Sequence, residues 1–294
     1  MAVIAPIEFS QGMARRKWRG RAFHAICLLA VVLALGMLAV LLIYLVFQGW
    51  ARVDWDFITS FPSRHPEQAG IRSALAGSIY LVIIAGVVAF VLGVGAAIYL
   101  EEYAGRHWIN RVVQINIANL AGVPSIVYGL LGLEIFVRSM GLGKSLLAGG
   151  FTLGLLVLPI IIIAAEEAIR AVPSSVRQGA YGLGATRWQT IWHLVLPQAF
   201  PGILTGIILA VSRAIGETAP LIVVGALAFV PFTPDSPFSR FSALPIQIFN
   251  WTARPQAGFH EAAAAGIIVL LAVLLAMNAA AVILRNKFQS PPEA

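Results

Sequence analysis

The sequence has 294 residues, of which 59% are hydrophobic and only 11% are charged. Soluble domains are about 45–50% apolar and about 25% charged, so this composition indicates an all-α polytopic membrane protein. Its net charge of +7 is explained by basic residues that set topology and requires no nucleic-acid partner. A lone cysteine, Cys27, excludes a disulfide framework, and the histidines form no pair at metal-ligand spacing, so we expect no metal.

Six apolar stretches are long enough to cross a bilayer, which takes about 20 residues in an α-helix. The first follows the basic segment ARRKWRGR and is too long for the apolar part of a signal peptide. We therefore expect a basic tail (residues 1–22), a first transmembrane helix (residues 23–47) and a membrane-embedded core domain (residues 73–284). The predicted spans of the core are residues 73–100, 112–137, 146–165, 202–230 and 262–284.

The distribution of lysine and arginine sets the expected orientation. These residues are concentrated ahead of the first span and recur in the loops on that side of the membrane. By the positive-inside rule both termini lie in the cytoplasm, with residues 285–294 as a second tail. On the opposite side, two long loops contain Trp50, Trp55 and Trp251, which we assign to the interfacial aromatic belt.

The third predicted span, with the sequence NLAGVPSIVYGLLGLE, contains a break. Pro124 cannot continue the helix, and the hydroxyl of Ser125 can bond carbonyls that the break leaves free. Ser125 and Tyr128 are candidates to line a polar path through the membrane, and simple packing explains them equally well.

The segment GLGKS, residues 141–145, has part of the pattern of a phosphate-binding P-loop. That motif needs a glycine where this chain has Arg138, and the segment lies on the predicted external side, away from cytoplasmic ATP. We therefore expect no ATPase site in this chain. Because no Ser-His-Asp, HExxH or paired-carboxylate grouping is present either, we expect a chain that is not an enzyme and needs no cofactor.

The long cytoplasmic loop, residues 166–200, reads as a structured element. Pro173 ends one helix, and the two serines after it can cap the next. A glycine pair ending at Gly184 permits a sharp reversal. Thr186 can cap a second short helix, which we expect Pro197 to end. A loop of this length with helices of its own usually has a function.

Three large side chains give this loop a possible role. Tyr181, Trp188 and Trp192 are typical of interface hot spots, and a short helix beside a glycine turn can seat in a cleft of a partner protein. The alternative is an amphipathic helix on the lipid surface, with the two tryptophans in the interface. We favour docking, since a capped and reversed segment exceeds what a surface helix requires.

The fifth predicted span contains two charged residues, Arg213 and Glu217. A spacing of four residues places them on one helix face, where they can pair. A charged side chain at the bilayer centre costs about 2.5–3.5 kcal/mol, so both must face protein or water. Pro220 lacks an N–H and crowds the carbonyl of Gly216, which predicts a kink beside Glu217.

Two interpretations of this pair are possible. The rigid fork of arginine suits phosphate-like oxyanions, so Arg213 and Glu217 can form a site on a transport path, together with the flanking Ser212 and Thr218. Alternatively, the pair only holds two helices or two subunits together. We favour the path, because ionisable pairs inside membranes usually mark one.

The cytoplasmic loop of residues 166–200, which we call the docking loop, resembles the cytoplasmic signature of ABC importer permeases. It departs from that signature at Gln178, where the family has glutamate, at Gly179, where it has alanine, and at Leu194, where it has isoleucine. Three segments, AGVPSIVYGLLGL, GATRWQTIWHLVLPQAFPGILTG and SRAIGETAPLI, closely resemble the membrane subunits of phosphate ABC importers, and GETAPL is typical of the PstA-type subunit. The residues that match the signature by position are Gln178, Gly179, Ala180, Gly184, Leu194, Leu196 and Pro197.

This resemblance implies a type I ABC importer permease fold with six transmembrane helices in the cytoplasmic (inner) membrane. It also implies a PstC-type second permease subunit, a cytoplasmic PstB-type ATPase dimer and a periplasmic phosphate-binding protein as partners. Arg213 and Glu217 match positions tied to phosphate passage, and the docking loop matches the ATPase contact. The alternatives are a permease for another oxyanion, such as phosphonate, sulfate or molybdate, or an ion-coupled secondary carrier.

Overall fold

The computed structural model describes residues 10–105, 107–226 and 229–288. The regular secondary structure of these residues is helical. The helices are α1 (Ser10–Gly49), α2 (Trp55–Thr59), α3 (Arg72–Ile98), α4 (Trp108–Ala121), α5 (Ser125–Gly132), α6 (Leu146–Arg170), α7 (Ser174–Gly182), α8 (Arg187–Thr190), α9 (Leu196–Gly216), α10 (Ala219–Val224), α11 (Leu244–Thr252) and α12 (Ala257–Phe288). Wider π-helical turns extend α3 (Tyr99–Tyr103) and α5 (Leu133–Ser139) and join α8 to α9 (Ile191–Val195).

Within the described residues, five helical segments are long and apolar enough to cross a membrane. The α4–α5 pair meets the same length and composition test when its two helices are taken together, and it bends by 104° between them. The bend lies at Pro124, whose extended ψ of 135° separates the two helices, so the predicted break is confirmed. The five unbroken segments are Arg16–Arg52, Arg72–Tyr103, Leu146–Arg170, Arg187–Gly216 and Ala257–Lys287.

The core is built on α6, which packs against α3 on one side and α9 on the other. Small residues permit this close approach. A Cβ added to Gly202 of α9 would lie 2.7 Å from the Cβ of Ala168, and one added to Gly150 would lie 2.5 Å from Ile84 of α3. Gly202 and Gly150 belong to small-residue motifs of the kind that bring membrane helices together.

The segment GLGKS directly precedes α6 and supplies its N-cap residue, Ser145. Gly141 and Gly143 have φ angles of 67° and 65°, in the left-handed region that favours glycine. The hydroxyl of Ser145 then accepts a hydrogen bond from the N–H of Ala148 at 3.2 Å and caps the helix. These residues therefore have a structural role at the turn between α5 and α6.

The loop between α10 and α12 differs from the prediction. Residues 244–252 form α11, a largely buried helix whose first N–H, at Leu244, donates to the hydroxyl of Ser78 at 2.8 Å. Trp251 is fully buried, and its ring lies 5.9 Å from that of Phe57. The assignment of Trp251 to the interfacial belt is therefore wrong, because this tryptophan joins α11 to α2.

The first helix lies apart from the core. It begins at Ser10, well before the predicted start of the span, and its apolar side chains are mostly exposed. It packs on α12 near its end, where a Cβ on Gly49 would lie 2.5 Å from the backbone of Ala265. The exposed surface suits lipid or another subunit. The outer parts of the two predicted tails, residues 1–9 and 289–294, lie outside the described residues.

Candidate translocation site and docking surface

The fifth span breaks beside the predicted charged pair. Helix α9 ends at Gly216, Glu217 is extended with ψ of 127°, and α10 starts at Ala219. Pro220, in the first turn of α10, has no N–H with which to continue α9. The predicted kink is therefore a complete break, and the prediction of one helix over residues 202–230 is wrong.

Arg213 and Glu217 nevertheless form an ion pair. The Nε of Arg213 donates to an oxygen of Glu217 at 3.3 Å. Because Glu217 lies beyond the helix end, the two residues do not share a helix face as predicted. The Arg213 side chain is 44% exposed and that of Glu217 is 17% exposed. The guanidinium is therefore accessible at the break.

The two broken spans meet next to this pair. Helix α5 packs on α10 so closely that a Cβ on Gly129 would lie 2.8 Å from the Cα of Pro220. Tyr128 of α5 and Ala214 of α9, the residue after Arg213, belong to one buried cluster. The residues that follow Pro124 and those that follow Glu217 therefore form one region of the molecule.

The structure gives the residues predicted to line the path different positions and different hydrogen-bond partners. Tyr128 is buried, and its hydroxyl donates to the carbonyl of Leu120 at 2.8 Å, so it closes the break at Pro124. Ser125, the first residue of α5, and Thr218, just before α10, are half-buried at the two breaks. Ser212 is directed elsewhere, because its hydroxyl bonds the side chain of Asn278 on α12.

Asn278 was missed by the sequence reasoning. It is a single amide in the apolar run of α12, and an isolated polar residue in a span is a signal for a bond across helices. The Ser212 hydroxyl oxygen also lies 2.7 Å from the carbonyl oxygen of Ile208, one turn earlier in α9. In the part of the chain that is described, no group of three or more His, Cys, Asp or Glu side chains could hold a metal ion.

On the predicted cytoplasmic side, α7 and α8 form the expected reversed pair. Gly184 has a φ of 81°, which makes the turn possible. Thr186 accepts from the N–H of Gln189 at 3.3 Å, and the Gln189 side chain accepts from the N–H of Thr186 at 2.9 Å. This reciprocal capping box confirms the predicted start of the second short helix.

An apolar surface covers the outside of this pair. We call it the docking surface; its side chains are large, apolar and exposed. The rings of Trp188 and Trp192 stack at 5.7 Å between centroids. Leu183, which the sequence reasoning missed between the two glycines, is 91% exposed. The docking surface consists of Tyr181, Leu183, Trp188 and Trp192.

The other residues of the signature are distributed around this surface. Gln178 and Gly179 are exposed on α7, whereas Ala180 is buried beneath it. Leu196 is half-buried and Pro197 is exposed, and both start α9.

Two local predictions about this segment are wrong. Pro197 does not end a helix, because the wider π-helical turn before it lets the chain continue as one segment into α9. No serine side chain caps α7, whose N-cap position is Pro173. Instead, the guanidinium of Arg177 donates to the carbonyls of Ile169 and Val172 at 2.9 and 2.7 Å. These two carbonyls lie in the last turn of α6 and just after the helix, so Arg177 fixes the connection between α6 and α7.

Comparisons with known proteins agree with this architecture. Residues 89–290 match the family described as binding-protein-dependent transport system inner membrane component. The phosphate transport system permease protein PstA 1 of Mycobacterium tuberculosis (strain CDC 1551 / Oshkosh) is 33% identical over 288 residues, which cover 96% of this chain and 93% of that relative. The phosphate transport system permease protein PstA of Mycobacterium leprae (strain TN) is 36% identical, covering 86% and 81% of the two chains.

A solved structure shows the same fold at low sequence identity. The bacterial alginate ABC transporter, crystallised with an alginate pentasaccharide-bound periplasmic protein, has a chain that superposes with a TM-score of 0.67. The two chains are 16% identical, and the match covers 93% of this chain and 96% of that one. The predicted importer permease fold is confirmed, and the chain belongs to the family of binding-protein-dependent transport system inner membrane components.

Proposed function

We propose that this chain is a permease subunit of an ATP-driven importer of inorganic phosphate in the cytoplasmic (inner) membrane. Similarity to phosphate transport system permeases over nearly the whole chain supports the substrate. The observation that carries the mechanism is the accessible Arg213 where the break between α9 and α10 meets the break between α4 and α5. Irregular backbone at membrane depth is tolerated where it lines a cavity, so this junction suits a path for a polar substrate.

Arg213 supplies the chemistry that an oxyanion requires. Its planar guanidinium presents a fixed fork of donors and keeps its charge at any physiological pH. Glu217 offsets that charge when no anion is present. Because the pair is held by one bond of 3.3 Å in a partly exposed position, a passing anion can displace the carboxylate at little cost; exposed pairs contribute about 0.2–1 kcal/mol. Such a site favours passage over tight binding.

The proposed assembly contains three further components. A PstC-type permease subunit covers the open side of Arg213 and completes the path. A periplasmic phosphate-binding protein delivers the substrate on the outside. A PstB-type ATPase dimer supplies energy from the cytoplasm, because this chain contains no nucleotide-binding motif of its own. The transport-component family to which this chain belongs supports partners of these classes.

The docking surface is the proposed contact with the ATPase. Leu183 and the stacked pair Trp188 and Trp192 extend from a short, capped and reversed helical segment. Large aromatic side chains presented by a rigid element are typical of binding hot spots. Gln178, exposed beside them on α7, stands where the signature has glutamate, so a neutral amide replaces a charge at that contact.

Uptake of radiolabelled phosphate by proteoliposomes that contain the whole importer tests this function. Saturable uptake should require ATP and the binding protein, and unlabelled sulfate, molybdate or phosphonate should not compete. Competition by one of these anions at equal concentration would reassign the substrate. Uptake by this chain alone, driven by an ion gradient without ATP, would replace the importer by a secondary carrier.

A further inference from the structure

Three consecutive residues at the cytoplasmic end of α3 each hold one arginine of the docking loop. They lie in the π-helical turn Tyr99–Tyr103, which extends α3 and brings successive side chains toward α6, α7 and α8. Two of the contacts are ion pairs, and the third places a guanidinium 5.6 Å from a tyrosine ring. The contacts are Glu101 with Arg170, Glu102 with Arg177, and Tyr103 with Arg187.

The middle contact is the most buried. The Nε and Nη2 of Arg177 donate to one oxygen of Glu102 at 3.0 and 2.7 Å. The same guanidinium holds the carbonyls of Ile169 and Val172. The Glu102 side chain is 6% exposed and that of Arg177 is 20% exposed. One arginine therefore joins α7, the end of α6 and the end of α3 through four hydrogen bonds.

This connection continues into the translocation site through α3. The helix runs from the π-helical turn to Ala89, which lies in the same buried cluster as Tyr128 and Ala214. Ala214 follows Arg213 directly. At a rise of 1.5 Å per residue, Glu102 and Ala89 are separated by about 20 Å along the helix. A displacement of α7 can therefore reach the neighbours of Arg213 along one rigid element.

We propose that Glu102 and Arg177 are positioning residues that couple the docking surface to the translocation site. The docking surface binds the ATPase, and the Glu102–Arg177 pair makes α3 follow when that surface moves. Replacing either residue by a neutral one leaves a charge buried without its partner and loosens α3 from α7. The inference rests on the proposed function, since it requires the ATPase to act on the docking surface.

The test measures phosphate transported per ATP hydrolysed. Proteoliposomes that contain the whole importer would be compared for the native chain, Glu102→Gln and Arg177→Gln. We expect the amount of ATPase subunit that co-purifies with the complex to change less than twofold. The ratio of phosphate transported to ATP hydrolysed should fall at least tenfold. The matched control is Glu134→Gln. Glu134 forms an exposed ion pair with Arg138, with 3.0 Å between the nitrogen and the oxygen, so loss of its charge should leave the ratio unchanged.

Two further variants separate coupling from folding. The double variant Glu102→Gln with Arg177→Gln leaves no buried charge unpaired, so it should assemble at native yield with a ratio as low as in the single variants. Arg177→Lys keeps the charge without the fork and should recover part of the ratio. A native ratio in the double variant would overturn the proposal.

The outcome for coupling is distinct from that for docking. If hydrolysis and transport fall in parallel with loss of the complex, the pair has only a structural role and the proposal is overturned. The docking proposal fails on a different measurement, namely unchanged ATPase recovery after the docking surface itself is altered.

Discussion

Two of the arginine–glutamate pairs in this molecule, Arg213–Glu217 and Arg177–Glu102, have opposite surroundings. Arg213 reaches Glu217 through one bond of 3.3 Å at a break between helices, and its side chain is 44% exposed. Arg177 holds Glu102 at 2.7 and 3.0 Å within a buried site and bonds two backbone carbonyls as well. The same two residue types therefore form one accessible contact and one fixed contact.

The difference follows from what surrounds each carboxylate. The Arg213–Glu217 pair has water or substrate as an alternative partner, so its ionic bond is easily exchanged. The Arg177–Glu102 pair is withdrawn from water, and loss of one partner leaves an uncompensated charge that is costly to bury. An exchangeable pair suits a path and a fixed pair suits transmission of movement. Four predictions test this assignment.

The largest effect is expected from Arg213→Gln, which removes the charge at the exchangeable pair. Hydrogen bonds to charged groups contribute about 1.5–3 kcal/mol, so phosphate uptake should fall about 10- to 150-fold. Arg213→Lys keeps the charge without the fork and should give an intermediate rate. Initial rates in proteoliposomes measure the effect, with recovery of the whole complex as the control for assembly. Native uptake by Arg213→Gln would remove this residue from the path.

A smaller effect is expected at the docking surface, which the fixed pair supports. Trp188→Ala removes one ring of a stacked pair. Truncation at a hot spot costs about 2 kcal/mol, so the affinity of the ATPase should fall about 30-fold in a pull-down titration. The matched control is Trp55→Ala, an exposed tryptophan at the other end of the molecule. If both variants retain native affinity, the surface faces lipid instead.

The turn at Gly184 orients this surface, so backbone strain at that residue should lower the affinity for the ATPase even without a steric clash. Gly184 has a φ of 81° and open space around its Cα, so Gly184→Ala adds strain without a clash. A non-glycine residue in this region costs about 1–2 kcal/mol, which corresponds to about a 5- to 30-fold loss of ATPase affinity if the turn rearranges. Gly182→Ala adds the same methyl group in open space at an ordinary φ. Equal affinities for the two variants would show that the turn is not limiting.

Local chemistry predicted much of the fold and of the docking surface. Pro124 breaks a span because it lacks an N–H, and Thr186 caps a helix together with Gln189. Both signals lie within a few residues of their effect. The hydropathy of the spans is equally local, since a stretch of about 20 apolar residues needs no knowledge of its neighbours. These features could be predicted without any tertiary contact.

The features that escaped prediction depend on distant partners. Arg177 and Glu102 are 75 residues apart, and nothing near either residue indicates the other. Trp251 is buried by Phe57, whereas its short apolar segment resembles an external loop when read alone. Glu217 pairs with Arg213 as predicted by the spacing, but through an extended backbone that only the completed break provides. Tertiary packing decided each of these cases.

The smallest effect on transport is expected at Ser212, which precedes Arg213 yet bonds Asn278 on α12. Ser212→Ala should leave phosphate uptake within twofold of native. It should lower stability by about 0.5–1.5 kcal/mol, the net contribution of one hydrogen bond. Thermal unfolding in detergent measures the loss. Asn278→Ala should cost a similar amount, and the double variant less than the sum of the two, because both remove the same bond. A tenfold loss of uptake in Ser212→Ala with native stability would instead place this hydroxyl on the path beside Arg213.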